Sequence, residues 1–314
     1  MADLILHHYP MSPFSEKVRA VLGFKQLAWK SVHIPTVMPK PDLLALTGGY
    51  RKTPVLQIGA DVYCDTALIC DVLEHLQPTP TLYPPGSNGL ARTLAQWADS
   101  TLFWAAMGYN FQKPGLAQLF DGVPTEGVKA FGADRSAMAQ GMSRPKPLDA
   151  LAAYKSYLRR LSDMLSGQDF LLGTAPCVAD FAAYHSLWFT RTQVPVLANI
   201  LQATPSVLVW LDRIAGFGHG QPQAMSATEA IAESADFIMA PDQKKVEYFQ
   251  DDHGIPLGSQ VSISAESFGL EPTHGTLLAA TRTQFTLRRE DPRAGVVHVH
   301  FPRVGYALKL EATS

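Results

Sequence analysis

Three short segments within the first 80 residues carry side chains whose types and spacing could hold and activate a small ligand. These segments are Ser12-Pro13-Phe14-Ser15, Lys52-Thr53-Pro54-Val55 and Asp65-Thr66. Serine followed by proline is typical of a helix start, because serine caps free backbone N–H groups and proline fits the first helical position. A hydroxyl at the positive end of a helix can also donate a hydrogen bond to an anion and favour its charged form. Ser12 is therefore either a plain helix cap or the group that stabilises a ligand's anion, with Ser15 as a second candidate donor.

The other two segments suit the recognition of a peptide-like ligand. Pro54 has no N–H, so it fits an exposed strand end at which Thr53 can offer its N–H and C=O to an extended peptide. Asp65 and Thr66 begin a predicted helix, where a hydroxyl and free N–H groups form a site for a carboxylate. The alternative interpretation of Asp65-Thr66 is a simple cap, and that of Lys52 is a solvated lysine rather than the partner of a carboxylate.

An alternation of strands and helices must position these segments. The predicted order is β-α-β-α-β-β-α, which indicates an α/β unit of roughly eighty residues. The predicted strands are Leu4–His8, Trp29–Ile34, Val55–Ile58 and Val62–Cys64, and the predicted helices begin at Ser12-Pro13, at Asp42 and at Asp65.

The rest of the chain changes character twice. Residues 79–88 are rich in proline, which indicates a linker, and the pattern from residue 88 to residue 225 is helical without a strand signal. From residue 235 to residue 314 alternating and β-branched residues predict a small β domain. Its predicted strands are Val261–Ser264, Thr283–Arg289, Val296–His300 and Tyr306–Leu310.

Composition excludes several classes of protein. The 314 residues suit two or three domains, and the net charge of −2 lacks the basic excess of a nucleic-acid binder. Only 17% of residues are charged, which indicates extensive buried surface, such as a subunit interface. No apolar run is long enough to cross a membrane, and the N-terminus lacks the features of a signal peptide.

The numbers and spacing of the cysteines and histidines predict no metal centre. The three cysteines, Cys64, Cys70 and Cys177, form no Cys-x-x-Cys pair, which fits a reducing compartment and excludes a disulfide framework or a four-cysteine zinc site. His298 and His300 share one face of a predicted strand, a spacing that metals can use. With no third ligand in view, we interpret them as surface histidines and predict no metal.

Taken with their order along the chain, the three segments resemble those of glutathione transferases. Ser-Pro-Phe followed by Lys17-Val18-Arg19 is similar to the serine-type motif of the tau class, and to the Cys-Pro-Phe of the omega class with serine in place of cysteine. Lys-Thr-Pro-Val-Leu resembles the segment that carries the family's cis-proline, and Asp65-Thr66 resembles its Glu/Asp-Ser pair. Residues 173–180 resemble the folding motif of the family's helical domain. The resemblance covers roughly residues 4–215, and the C-terminal 80 residues match no transferase feature.

The resemblance implies a thioredoxin-like N-terminal domain over residues 1–80 and an all-α domain over residues 88–225, to which the chain adds a β-rich domain over residues 235–314. Ser12 is expected to activate the thiol of glutathione, and the Thr53–Pro54 bond is expected to be cis. The residues expected to bind the tripeptide are Phe14, Lys52, Thr53, Pro54, Asp65 and Thr66. The pocket for the second substrate is expected around Trp104, Met107, Tyr109 and Phe111, although such clusters are also typical of a core.

The function implied is a cytoplasmic, homodimeric glutathione transferase that detoxifies small hydrophobic electrophiles, with glutathione as co-substrate. The alternative, suggested by the extra β domain, is a glutathione-binding or protein-interaction module with little catalysis. Serine at both positions of a Cys-x-x-Cys motif, Ser12 and Ser15, argues against disulfide exchange, which needs a protein thiolate. Cys177 replaces the usual Ser or Thr helix cap, which predicts a cap weaker by up to ~1 kcal/mol unless Asp180 compensates.

Overall fold

The computed structural model describes residues 2–237 and 251–311. The first unit contains strands β1 (Ile5–His8), β2 (Ala28–His33), β3 (Val55–Ile58) and β4 (Asp61–Cys64), and helices α1 (Pro13–Phe24), α2 (Pro41–Thr47) and α3 (Thr66–Leu76). Strand β1 lies between β2, to which it is parallel, and β3, to which it is antiparallel, and β4 forms a hairpin with β3. The predicted thioredoxin-like order of elements is confirmed.

A helical region follows. Its α-helices are α4 (Asn88–Trp97), α5 (Phe103–Asn110), α6 (Lys113–Leu119), α7 (Thr125–Met138), α8 (Pro147–Met164), α9 (Val178–Trp188) and α10 (Pro205–Ala215). A π-helical turn, Ala98–Leu102, lies between α4 and α5. Within residues 2–237 and 251–311, no helix is long and apolar enough to span a bilayer.

Helix α9 begins at the cysteine that replaces the usual cap. Oδ2 of Asp180 accepts the backbone N–H of Cys177 at 2.9 Å and lies 3.3 Å from its Sγ. Oδ1 of Asp180 accepts the backbone N–H of Leu171 and the indole N–H of Trp210, both at 2.9 Å. The buried carboxylate therefore compensates for the cysteine and ties α9 to α10 and to the loop that precedes α9.

The C-terminal β-rich region continues the sheet of the first unit. Its strands are β6 (Gln260–Ala265), β7 (Thr273–Ala280), β8 (Gln284–Asp291), β9 (Gly295–Pro302) and β10 (Tyr306–Leu310). Together with β5 (Gln221–Ala224), these strands give the sheet order β10-β6-β7-β8-β9-β4-β3-β1-β2-β5, and β9 joins β4 in parallel, with Val62 opposite Val299. The sequence predicts a separate β domain, but in the described residues its strands extend the sheet of the first unit to ten strands. Residues 238–250 and 312–314 of the predicted domain lie outside the described residues.

Two elements differ from the sequence prediction. Residues 221–224, predicted in the helical domain, form β5 (Gln221–Ala224), which pairs in parallel with β2, and α11 (Ala227–Asp236) follows it. The sequence pattern does not predict strand β7, because Gly275 and two alanines give it little β propensity. In both cases, pairing with a neighbouring strand outweighs a weak local preference.

The core shows that the first unit and the extension pack as one body. Leu46, Tyr50 and Val62 belong to the same buried cluster as Val299 and Phe301. The ring centroids of Tyr50 and Phe301 are 5.9 Å apart. A second, larger cluster joins the opposite face of the first unit to the helical region. The segments that carry the candidate site are therefore held between two cores.

Candidate functional site

Ser12 is the N-cap of α1. Its Oγ accepts the backbone N–H of Ser15 at 3.2 Å, and the residue is 2% exposed. Within the described part of the chain, no acceptor is found for its own hydroxyl proton, so its capacity to donate a hydrogen bond is unused. The Oγ of Ser15, one turn further along, is fully buried and has no hydrogen-bond partner there. Both roles proposed for Ser12, cap and donor, are compatible in this geometry, because capping uses only a lone pair.

Phe14 joins the start of α1 to the helical region. Its ring centroid lies 4.8 Å from that of Phe103 and 4.6 Å from that of His185. These contacts give the side chain a packing role at the boundary between the two regions. It fixes the start of α1, and therefore Ser12, relative to α5 and α9.

The Thr53–Pro54 peptide bond is cis, as the resemblance implies, and β3 begins immediately after it. A residue that the sequence analysis missed supports this segment. The ammonium of Lys40 donates to the Oγ1 of Thr53 and to the carbonyl of Arg51, each at 3.3 Å. Burial, together with the nearby Arg135, lowers the pKa of Lys40 to about 8. Lys40 lies between Pro39 and Pro41, and no local pattern in the sequence connects it with Thr53.

Lys52 lies against two aromatic rings. Its Nζ is 4.8 Å from the ring centroid of Tyr306 and 5.4 Å from that of Tyr50. Burial lowers the pKa of Lys52, although the nearby Asp65 opposes this effect. In the described ranges the ammonium has no ion pair, so it can donate hydrogen bonds to an anionic group. The Lys52 ammonium thus lies against one ring of the first unit and one of the extension, while the residue stays partly exposed.

Asp65 and Thr66 stand at the N-terminus of α3, as predicted. One carboxylate oxygen of Asp65 caps the helix by accepting the N–H of Ala67 at 2.9 Å, and the other accepts the hydroxyl of Tyr306 at 3.0 Å. The Oγ1 of Thr66 accepts a hydrogen bond from Lys17 at 3.0 Å and is nearly buried. The cap and ligand interpretations of this pair are again compatible.

A buried charged network, absent from the sequence prediction, lies behind Thr66. The Nζ of Lys17 is 2.5 Å from Oδ2 of Asp99, whose Oδ1 accepts from Nε2 of His185 at 3.0 Å. Asp99 belongs to the π-helical turn Ala98–Leu102, a feature that is frequent at functional sites. Burial would raise the pKa of Asp99, but the Lys17 ammonium and His185 outweigh it and lower that pKa. Because these partners come from α1, the π-helical turn and α9, only the tertiary structure brings them together.

Of the four residues predicted to line a second-substrate pocket, one reaches the C-terminal extension. The ring of Trp104 lies 5.2 Å from that of Phe268, in the connection between β6 and β7. Met107 and Tyr109 are buried in the core of the helical region, and Phe111 is a partly exposed residue at the end of α5. Next to the Trp104–Phe268 contact, residues 140–143 together with Glu266, Ser267 and Leu270 line a cavity of about 510 Å³.

His298 and His300 of β9 are not both at the surface. His300 is buried, with Nε2 2.7 Å from Asp61 and its ring stacked on Tyr63 at 4.5 Å. It therefore packs at the β4–β9 junction, which corrects the prediction of two surface histidines. Among the described residues, no group of three or more His, Cys, Asp or Glu side chains could hold a metal ion.

Comparison with known proteins identifies the family. Residues 6–81 match the family model for the glutathione S-transferase N-terminal domain, and residues 130–216 match the model for its C-terminal domain. A crystal structure of a GST-like protein from Pseudomonas syringae is 45% identical, with a TM-score of 0.81, and the match covers 99% of this chain and 100% of that one. The chain belongs to the glutathione S-transferase family. Because the Pseudomonas match covers both chains almost entirely, this family member shares its C-terminal extension with that relative.

Other relatives of this glutathione S-transferase family member match over shorter stretches. FtsZ-localized protein A of Caulobacter vibrioides is 27% identical over 187 residues, which is 57% of this chain and 73% of that protein. Pyrimidodiazepine synthase of Drosophila melanogaster is 35% identical over 88 residues, and this match covers only 36% of that enzyme. A glutathione S-transferase structure from Rhodospirillum rubrum, 23% identical over 68% of this chain and 87% of its own, has a TM-score of 0.50 and shows the fold alone.

Proposed function

We propose that this chain is a cytoplasmic glutathione transferase in which Ser12 stabilises the thiolate of glutathione for attack on a small hydrophobic electrophile. The observation that carries the proposal is the geometry of Ser12. Its Oγ caps α1 by accepting from Ser15, while its own proton is left for a ligand at the positive end of the helix. The cis Thr53–Pro54 bond and the Asp65-Thr66 helix start support the proposal, because they resemble the segments that bind the tripeptide in the family.

The chemistry requires a shift in the pKa of the thiol. A free thiol with a pKa of about 8.5 is only about 3% thiolate at pH 7. A shift of about two units, or roughly 2.7 kcal/mol, makes the thiolate the major species. A hydroxyl that donates to sulfur at a helix N-terminus acts in this direction, because both the hydrogen bond and the helix dipole favour the anion.

The remaining residues suit binding of the tripeptide and the electrophile. We propose that Thr53 pairs with the cysteinyl backbone, that Lys52 binds the glycyl carboxylate, and that Asp65 and Thr66 bind the γ-glutamyl group. The electrophile would lie near Trp104, beside the cavity of about 510 Å³ at the β6–β7 connection. The aromatic contact between Trp104 and Phe268 supports an apolar second substrate.

The test compares Ser12→Ala and Ser12→Gly in conjugation of glutathione with a model electrophile. Glycine is nearly as good a helix cap as serine, whereas alanine costs about 0.5–2 kcal/mol. The two variants therefore differ in stability but share the loss of the hydroxyl. We expect kcat/KM at pH 7 to fall at least about tenfold in both, with a raised pKa of the bound thiol in an ultraviolet titration of the thiolate. An unchanged kcat/KM in both variants would show that the role given to Ser12 is wrong.

A second candidate is a glutathione-binding or protein-interaction module with little catalysis. It is favoured by the relative named FtsZ-localized protein A. The discriminating experiment combines retention on immobilised glutathione with a panel of model electrophiles. Retention without turnover on any electrophile, or stoichiometric capture of one protein through the extension, would favour this second function.

A further inference from the structure

One side chain of the C-terminal extension reaches the candidate glutathione site. Tyr306, the first residue of β10, donates its hydroxyl to Oδ2 of Asp65 at 3.0 Å across 241 residues of sequence, and it is 5% exposed. The other oxygen of Asp65 accepts the N–H of Ala67. The carboxylate is therefore held from two directions, and each oxygen keeps a lone pair for another donor.

The backbone conformation of Asp65 shows why a second interaction is needed to fix this residue. Its φ of +79° lies in the left-handed region, which is uncommon for a residue with a side chain. Such a conformation persists only where the surrounding structure fixes it, and residues of this kind cluster at ligand clamps. The Tyr306 hydroxyl supplies one of these constraints from a strand that lies outside the first unit.

The same tyrosine contacts the second charged group of the site. Its ring lies 4.8 Å from the Nζ of Lys52, and its hydroxyl is 3.5 Å from that of Tyr50. The β6–β7 connection borders the site from the same side, where Glu271 pairs with Arg51 at 2.6 Å. The extension therefore covers one side of the segments proposed to bind the tripeptide.

We propose that Tyr306 is a positioning residue of the glutathione site, which orients the Asp65 carboxylate toward the γ-glutamyl ammonium of the tripeptide. This inference rests on the proposed function, since it takes glutathione as the ligand. It gives the extension a role in substrate binding: without β10, Asp65 would keep only its cap to Ala67 and would lose one fixed orientation.

The experiment uses the full-length chain with Tyr306→Phe, which removes the hydroxyl and keeps the ring over Lys52. Tyr63→Phe is the matched control, because Tyr63 also lies at the junction with the extension, where it stacks on His300. Calorimetric titration would use two probes: glutathione, and the analogue that lacks the γ-glutamyl amino group. Circular dichroism melting checks that each variant is folded.

We expect Tyr306→Phe to weaken glutathione binding about tenfold and binding of the deaminated analogue less than about twofold, because only glutathione uses the oriented carboxylate. In turnover, KM for glutathione rises about tenfold while kcat and KM for the electrophile stay within about twofold, and Tyr63→Phe behaves as wild type. Equal weakening of both probes, or no weakening of either, would overturn the role of Tyr306. Wild-type protein that binds neither probe would instead overturn the proposed function, and the inference with it.

Discussion

At the scale of single residues, the candidate site consists of groups that stabilise the fold by one hydrogen bond or more and keep an unused proton or lone pair. Ser12 accepts from Ser15 with a lone pair and keeps its proton. Asp65 caps α3 with one carboxylate oxygen and accepts the hydroxyl of Tyr306 with the other. Such sharing explains why local sequence patterns support both a capping and a binding interpretation.

Two buried histidines of β1 make stability depend on pH. Burial lowers the pKa of His7 to about 4, and burial together with Arg19 lowers the pKa of His8 to about 3. In the unfolded chain each has a pKa near 6.5. Between these values the unfolded state binds more protons than the native state, so native stability is full above about pH 6.5 and is lost as the pH falls.

We therefore expect the free energy of unfolding in urea to fall between pH 6.5 and pH 4.5. Because each histidine contributes a slope of up to about 1.4 kcal/mol per pH unit, His7→Gln should reduce the slope by about that amount. His75→Gln, at an exposed position of α3, is the control and should keep the wild-type slope. An unchanged slope in His7→Gln would contradict the assignment of a buried neutral imidazole.

At the scale of elements, the extension is joined to the first unit by a strand pair and by a shared core. Strand β9 pairs with β4, and Phe301 of β9 packs against Tyr50 and Tyr306 at 5.9 and 5.6 Å. An edge strand that is paired in this way no longer offers free N–H and C=O groups to other chains. The extension therefore both covers β4 and borders the candidate site.

Truncating Phe301 tests this joint packing. Phe301 is 1% exposed, so Phe301→Ala should lower the free energy of unfolding by about 3–5 kcal/mol, whereas Val304→Ala, at a 70% exposed position nearby, should change it by less than about 0.5 kcal/mol. Because β9 and β4 share a core, chemical denaturation followed by circular dichroism and hydrogen exchange should show the extension and the first unit unfolding together. A separate early transition for the extension would contradict this coupling.

At the scale of the whole molecule, a sheet of ten strands carries the site near its centre. Ser12 precedes α1, Thr53 and Pro54 precede β3, and Asp65 follows β4. Both outer strands of the sheet, β5 and β10, come from segments after the helical region. Segments that follow the helical region therefore flank the strands of the first unit on both sides of the sheet. This arrangement fixes the site between the helical core and the extension.

We expect the protein to be a homodimer, on the basis of its family and of its low content of charged residues, 17%. Sedimentation at micromolar concentration should give a species of about twice the 34.2 kDa chain mass. A single species at the mass of one chain would show that this prediction is wrong.

The sequence by itself determined the local features of this protein. The Ser12-Pro13 start of α1, the Asp65 cap of α3 and the hairpin of β3 and β4 follow from caps, proline and apolar spacing, which act within a few residues. The residue motifs around Ser12, Pro54 and Asp65 likewise indicate the glutathione transferase family by their types and order alone. These signals are local, so they can be identified from one chain.

Only the tertiary structure decided how distant parts meet. Three contacts join residues that lie 82 or more positions apart in the sequence. They are the pairing of β9 with β4, the hydrogen bond from Tyr306 to Asp65 and the buried ion pair of Lys17 with Asp99. The sequence of a strand contains no periodic signal that identifies the strand with which it pairs in parallel. A lysine that will be buried also cannot be distinguished in the sequence from a solvated one until the position of its counter-ion is known. For this reason the extension appears in the sequence as a separate β domain, whereas in the folded chain it is the continuation of the sheet that carries the site.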